Sequence, residues 1–356
     1  MTLSERLGKL RCKMEEIEFD ALLVSQADNR RYLSGFTGTE GLLILSPMRA
    51  ILAVDFRYTE QARVEAADFE VNHIKGNIKE WLPDLLSELK VSRLGFEAND
   101  ITFATYQRLV GGINQDKKQL ELIPTNGLVE SLRATKEDDE IAQMLEAGKL
   151  ADRAYEYIAD EIHPGMTEKQ VAWDIERFLR EEGSEELPFS VIVASGPNSA
   201  LPHAHPSDRV IGLGEPIVMD FGARINGYCS DFTRTLCLGP ADESFTKRYD
   251  LILGAQLTAL AILKAGMTGE QADLLARTVI EQGGYKNAFG HGLGHGIGLA
   301  THETPRLGSK SEDLLVENMV FTIEPGIYIS GWGGVRIEDT VVLHEGKVKP
   351  LTKARK

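Results

Sequence analysis

The sequence predicts a two-domain protein of mixed α/β (α+β) class: a small α/β domain over residues 1–130, then a larger domain over residues 131–356 built from two pseudo-symmetric halves. Three observations predict it. The 356 residues exceed what one hydrophobic core usually organises. Near residue 130, short apolar runs broken by polar and glycine-bearing segments give way to a charged stretch rich in helix formers. Beyond that change, the chain repeats itself.

In the first domain, residues 21–25 (ALLVS), 42–45 (LLIL) and 51–54 (ILAV) read as strands, and residues 59–67 and 78–90 as helices. The stretch SLRATKEDDEIAQMLEAGKLADRAYEYIADEI is apolar at helical spacing and predicts a long helix opening the second domain. Next, Ile162-His-Pro-Gly-Met-Thr167 matches Leu263-Lys-Ala-Gly-Met-Thr268, an offset of 101 residues from Gly165 to Gly266. In both copies a Gln, Gln170 or Gln271, follows the Thr by three positions, which is a capping box opening a helix. Apolar positions then coincide, with Val171, Trp173, Ile175 and Phe178 opposite Ala272, Leu274, Ala276 and Val279. The copies end at Gly183 and Gly284. The repeat predicts a duplication, and a site at the junction of the halves should draw residues from both.

Composition narrows the function classes. The chain has 54 acidic and 39 basic residues, and its net charge of -15 would repel phosphate backbones and anionic lipid. No nucleic-acid or membrane partner is expected. No apolar run approaches the roughly 20 residues of a membrane span, and the start MTLSERLGKL lacks the apolar core of a signal peptide, so the expected location is cytoplasmic. Cys12, Cys229 and Cys237 form no CxxC pair and read as reduced and structural.

Two pairs of acids stand out. Ile217-Val-Met-Asp220-Phe-Gly222 and Cys229-Ser-Asp231-Phe-Thr-Arg-Thr235 are strand-like and are joined through Asn226-Gly227, a strong hairpin signal. With Asn-Gly at the turn, Asp231 sits across from Gly222, and Asp220 is its diagonal neighbour. Phe321-Thr-Ile-Glu324 and Gly334-Val-Arg-Ile-Glu338 repeat the arrangement around the turn Gly331-Trp-Gly-Gly334. Carboxylates pointing from apolar strands into an interior repel one another and are costly to desolvate, and a divalent cation resolves both problems.

In His291-Gly-Leu-Gly-His295-Gly-Ile-Gly-Leu299, glycine occupies every second position. Interior glycines cost a helix about 1 kcal/mol each, so an extended strand is expected, with the glycines on one face and His, Leu, His and Ile on the other. At roughly 3.3 Å per residue the histidines would lie about 13 Å apart, too far to share one ion. One of them can be a ligand, and the other must act elsewhere in the cleft. Ligation rich in carboxylate favours hard divalent ions, manganese or cobalt over structural zinc, with zinc able to substitute. Four acids exceed the needs of one ion. Two ions about 3.5 Å apart would use them all and could hold a bridging hydroxide as nucleophile, which is a hydrolase design. The chain lacks GxxxxGK[ST], GxGxxG and GxSxG, which disfavours a nucleotide site or a serine hydrolase.

These residues, together with Asp28-Asn-Arg-Arg-Tyr-Leu-Ser-Gly-Phe36, Ser195-Gly-Pro-Asn-Ser-Ala-Leu-Pro-His203, IEPGIY and GVRIEDT, give the whole chain a resemblance to the pita-bread metallopeptidases, in the branch of Xaa-Pro aminopeptidases and Xaa-Pro dipeptidases (prolidases). The resemblance implies a creatinase/prolidase-like N-terminal domain and a pita-bread catalytic domain. It implies that Asp220 chelates one ion, that His295 and Glu324 hold the other, and that Asp231 and Glu338 bridge them. It implies that His203, His291, His302 and Arg336 line the site, positioning the substrate carbonyl and the proline and stabilising the tetrahedral intermediate, with Glu324 accepting a proton from the attacking water. His205 falls outside the family pattern and reads as loop surface. Short proline-containing peptides are the implied substrates, and a homodimer the implied assembly. The function expected is an Xaa-Pro aminopeptidase, with an Xaa-Pro dipeptidase restricted to dipeptides as the alternative. An aminopeptidase without proline preference fits the large N-terminal domain poorly. A non-catalytic binding protein on the same fold, or a metal-free creatine hydrolase, would be expected to lose members of the metal set, and all five are present.

Overall fold

The computed structural model describes residues 2–113 and 120–356 and divides into two compact units, Met1–Arg133 and Ala134–Lys356. In the first unit, Thr2 and Glu5 form the capping box that opens α1 (Leu3–Glu16). It leads into β1 (Ala21–Val24), α2 (Ala27–Ser34), β2 (Leu42–Leu45), β3 (Ala50–Val54), α3 (Thr59–Glu65), β4 (Glu70–His73), α4 (Ile78–Glu88), β5 (Arg93–Glu97), α5 (Phe103–Ile113), β6 (Glu121–Thr125) and α6 (Glu130–Arg133). The strands form one mixed sheet in the order β4-β3-β2-β1-β5-β6. Every residue of β1 is buried, as suits a central strand covered on both faces.

The second unit begins with the long helix α7 (Asp138–Glu161) and α8 (Glu168–Glu181). These pack on a three-stranded sheet ordered β11-β8-β7, made of β7 (Ile192–Ser195), β8 (Pro216–Phe221) and β11 (Phe232–Cys237), with the small ribbon β9 (Arg224–Ile225) and β10 (Tyr228–Cys229) between β8 and β11 in sequence. The plan then recurs. Helices α9 (Glu243–Ile262) and α10 (Gly269–Gln282) pack on a five-stranded sheet of β12 (Gly294–Gly296), β13 (Glu303–Leu307), β14 (Val320–Ile323), β17 (Asp339–His344) and β18 (Lys347–Pro350), ordered β13-β12-β14-β17-β18. The ribbon β15 (Gly326–Ile329) and β16 (Gly333–Arg336) again lies between the hairpin arms.

The repeat is visible residue by residue. Helices α8 and α10 are each 14 residues long, and each is capped by its Thr and Gln, Thr167 with Gln170 and Thr268 with Gln271. Val171, Ile175 and Leu179 are buried in one, and Ala272, Ala276 and Ile280 at the same offset in the other. One matched apolar pair points outward instead: Trp173 is 61% exposed and Leu274 is 49% exposed. At 100° per residue, a position two along from Val171 or Ala272 lies on the far side of the helix.

Candidate functional site

The Asn226-Gly227 turn sets the first pair of acids. Both residues have positive φ, 48° and 83°, as a type I′ turn requires. The register of β9 on β10 continues into β8 on β11, placing Thr233 opposite Asp220 and leaving Asp231 diagonal to it. In the second half the acids stand differently. Pro325 cannot donate to a ladder, so the arm splits into β14 and β15. One register runs through both strands, from Ile323 opposite Asp339 to Gly326 opposite Arg336, so Glu324 faces Glu338 directly. A bridge between Thr233 and Glu338 joins the halves, with the Glu338 amide donating to the Thr233 carbonyl at 3.0 Å.

The glycine-rich segment is less extended than its alternation suggests. Only Gly294–Gly296 forms a strand, and its register on β13 shifts between His295 and Gly296. Leu293 and Ile297 lie in core clusters, whereas His291 and His295 line the cleft. The two rings flank one carboxylate, with His291 Nδ1 at 4.0 Å and His295 Nε2 at 3.5 Å from opposite oxygens of Glu324. They therefore converge where a straight strand would have held them apart. The glycines have a packing cause: a Cβ on Gly294 would lie 2.0 Å from the Thr322 carbonyl oxygen, and one on Gly296 2.2 Å from that of Thr304. Thr322 also sets two candidate ligands, since its hydroxyl accepts from the His295 amide at 3.1 Å and donates to Glu324 at 3.2 Å. Gly294→Ala is expected to cost about 1–3 kcal/mol through strain and to weaken metal binding by moving His295. Denaturant unfolding and metal titration of the variant check both.

The cleft has a volume of about 490 Å³ and gathers Asp220, Asp231, His291, His295, His302, His203, Glu324, Arg336 and Glu338. Asp231, His295 and Glu338 each offer a ligand atom within 4.8 Å of the others. His295 Nε2 is 3.6 Å from Asp231. Asp220 lines the same cleft, one oxygen held by Arg336 at 2.5 Å and the other, Oδ1, buried without a hydrogen-bond partner. Burial pushes the carboxyls of Asp231, Glu324 and Glu338 above their ordinary range, and their mutual repulsion and that of Asp220 push them further. Burial also lowers His291, His295 and His302, favouring the neutral imidazole that ligation needs. An orphaned carboxylate oxygen beside three acids that resist ionisation is a donor set suited to divalent cations.

Arg336 sits among these groups almost wholly buried. Burial opposes its charge, yet Tyr328, Asp220, Glu324 and Glu338 hold it protonated more firmly than usual. It donates to the Tyr328 hydroxyl at 2.8 Å, and that oxygen lies 2.9 Å from His291 Nε2. An arginine can only donate, so the tyrosine proton points to Nε2 and neutral His291 carries its own proton on Nδ1, toward the Gly292 carbonyl at 2.8 Å. Burial pushes the Tyr328 hydroxyl up to about 12. Sequence reasoning did not single out Tyr328, although it stands in the IEPGIY segment. It also placed His205 on the loop surface. His205 is exposed, yet it joins Phe189, Ile192, Pro202 and Leu307 in lining the cleft.

Residues 142–345 match metallopeptidase family M24, and residues 6–135 match the creatinase/prolidase N-terminal domain. The chain belongs to metallopeptidase family M24. This M24 metallopeptidase is 40% identical over 351 residues to an uncharacterized peptidase of Bacillus subtilis, covering 99% of this chain and 98% of that one. Among solved structures it resembles the Xaa-Pro dipeptidase from Bacillus anthracis, at 41% identity and a TM-score of 0.95, covering 100% of this chain and 99% of that one. It also resembles the X-Pro aminopeptidase from Thermotoga maritima, at 37% identity and a TM-score of 0.88, covering 96% and 98%. As a member of M24 it is a hydrolase that uses divalent metal, with the pita-bread fold. No helix among the described residues is long and apolar enough to cross a membrane.

Proposed function

We propose that this M24 metallopeptidase hydrolyses the bond before proline at the N-terminus of short peptides, as an Xaa-Pro aminopeptidase. The convergence of Asp231, His295 and Glu338 beside the orphaned oxygen of Asp220 carries the reading, together with the Xaa-Pro names of the relatives. Asp220, Asp231, His295, Glu324 and Glu338 would hold two divalent cations, manganese by preference and cobalt or zinc as substitutes. Bound there, the ions supply Lewis acidity and make water a nucleophile near neutral pH.

The chain's own groups do the rest. Glu324 accepts the proton of the attacking water, as its raised affinity for protons suits. Arg336, Tyr328 and neutral His291 form a hydrogen-bonded arc beside the scissile carbonyl; the Tyr328 and His291 protons are spent within it, and the second Nη2 proton of Arg336 is the fixed donor that stabilises developing negative charge. His203 and His302 steady the peptide, and Phe189, Ile192, Pro202 and Leu307 give the wall an apolar patch for the pyrrolidine ring. Cys12, exposed as a free thiol, and Cys237, half-buried as another, fit a reducing compartment, and a cytoplasmic homodimer completes the reading, its assembly to be read by light scattering.

One observation favours the dipeptidase as a second reading. Arg306 is exposed, lines the cleft, and makes no ion pair among the described residues. Such a cation can take the C-terminal carboxylate of a dipeptide. The manganese-loaded protein is therefore tested on Xaa-Pro dipeptides, Xaa-Pro-Yaa tripeptides and Xaa-Ala controls. Release from tripeptides, indifferent to Arg306→Ala, supports the aminopeptidase. Dipeptide turnover whose KM rises about tenfold in Arg306→Ala supports the dipeptidase, since one charge-assisted hydrogen bond is worth roughly 1.5–3 kcal/mol. No turnover of either proline substrate with metal bound rejects both.

A further inference from the structure

Residues 351–356 run on from β18 in the second half and bind to the first. Ala354 packs in the first half's core beside Ala147, Tyr155 and Phe232. The amides of Lys353 and Ala354 donate to Asp152 at 2.8 Å, and Arg355 pairs with Glu156 at 3.2 Å and Asp160 at 3.1 Å. These acids recur every four residues on α7, so one helix face receives the segment. From the other side, Arg234 on β11 donates to the carbonyls of Ala354 and Arg355, at 2.8 and 3.1 Å.

Arg234 is fully buried and uses all five of its N–H groups. The remaining three go to the Thr233 carbonyl at 3.0 Å, the Glu338 carbonyl at 2.6 Å and Asp339 Oδ1 at 2.8 Å. Asp339 is as fully occupied, by the Thr352 hydroxyl at 3.1 Å, Gln256 at 3.0 Å and Lys356 at 2.7 Å besides Arg234. A guanidinium with every donor engaged in the interior fixes whatever it touches.

What these contacts reach is the backbone of two acids. The Glu338 carbonyl is held by Arg234, and its amide by Thr233. The Asp231 amide donates to the Thr340 hydroxyl at 3.1 Å, and its carbonyl accepts from the same hydroxyl at 2.8 Å. Thr340 is itself fastened by the segment: its carbonyl accepts from the Leu351 amide at 2.8 Å, and its amide donates to the Thr352 hydroxyl at 3.1 Å.

We propose that residues 351–356 are a clasp that sets the separation of Asp231 and Glu338 through Thr340 and Arg234, making Arg234, Thr340 and Thr352 positioning residues for the metal pair. The proposal rests on the ligand assignment above. The two acids come from different halves, so their separation is fixed only by how the halves are joined, and metal coordination tolerates displacements of about 0.2 Å.

The test is cobalt titration of the full chain, by calorimetry and visible absorption, well below each variant's melting temperature. Arg234→Lys and a chain lacking residues 353–356 are expected to bind cobalt about 10–100-fold more weakly, as loss of outer-shell support does. Their visible spectra should shift and kcat should fall with KM nearly unchanged. Thr352→Val, which removes one hydroxyl and keeps the fold if the larger changes do not, should lose affinity several-fold. Arg355→Ala, which removes exposed ion pairs and keeps the backbone carbonyl that Arg234 holds, should stay within about twofold of wild type. Wild-type affinity and spectrum in folded Thr352→Val overturn the clasp, whatever happens to melting temperature. A wild-type protein that takes up no cobalt overturns the ligand assignment and the clasp with it.

Discussion

Replacing Glu338 by glutamine is expected to abolish peptide hydrolysis while making the metal-free protein more stable. Glu338 is 2% exposed, and burial followed by the nearness of Asp231, Glu324 and Asp220 raises its proton affinity well above the ordinary value of 4.5. The folded state thus binds this proton more tightly than the unfolded chain does. The metal-free protein then loses stability as pH rises from about 4.5 through the raised folded value, and regains it on acidification. Asp231 and Glu324 act in the same direction. Glutamine removes the charge and its share of this penalty. It also removes a ligand, so manganese should raise the melting temperature of wild type, by the equivalent of about 2.7 kcal/mol at a hundredfold excess over Kd, and leave the variant unmoved. Lewis-acid stabilisation is worth several kcal/mol, so kcat should fall on the order of 10³-fold or more. Calorimetry with chelator and with manganese, at about pH 5 and pH 8, reads both effects. Wild-type turnover by Glu338→Gln would sink the two-ion assignment.

Arg336→Met should do the reverse to the metal-free protein. The guanidinium is the ion-pair partner of Asp220 and donates also to Tyr328, Thr233 and the Pro202 carbonyl. Methionine fills much of the volume but leaves Asp220 facing three other acids without a counter-charge. Breaking a buried pair from one side costs about 3–5 kcal/mol. Bound cations would replace part of the lost charge, so the cost should shrink on metal loading. Because the same acids create both effects, Glu338→Gln should recover part of the stability lost by Arg336→Met, a coupling that a double-mutant cycle measures. With one donor gone from the arc at the carbonyl, kcat should drop on the order of 10²–10³-fold. Arg336→Lys should rescue little, since an ammonium cannot reproduce the planar fork that spans Asp220 and Tyr328. Unchanged metal-free stability in Arg336→Met would refute the electrostatic account.

What could be read in the sequence was local. Asn226-Gly227 needs positive φ at both positions, so the turn, and with it the diagonal of Asp220 and Asp231, follows from two residues. The capping boxes at Thr167 and Thr268 are equally self-contained. The second pair of acids was legible as a pair but not in its geometry, because the break at Pro325 makes two strands of one arm and brings Glu324 directly opposite Glu338. The histidine segment misled for a related reason. Alternate glycines suit an extended strand, but here they answer to the carbonyls of Thr304, Leu307 and Thr322 pressed against them, contacts set by other strands. Tyr328, Arg306 and His205 enter the cleft through tertiary packing alone, and no spacing announces them.

The contact between Thr233 and Glu338 spans 105 residues of chain. Each half can form its own helices and hairpin from near neighbours, but Asp231 and Glu338 cannot meet until that distant closure is made. During refolding, ion uptake would therefore time-stamp one event, the docking of the halves, while circular dichroism follows the secondary structure that precedes it. A lag between the two signals would measure how long the chain remains folded in parts and inert as a whole.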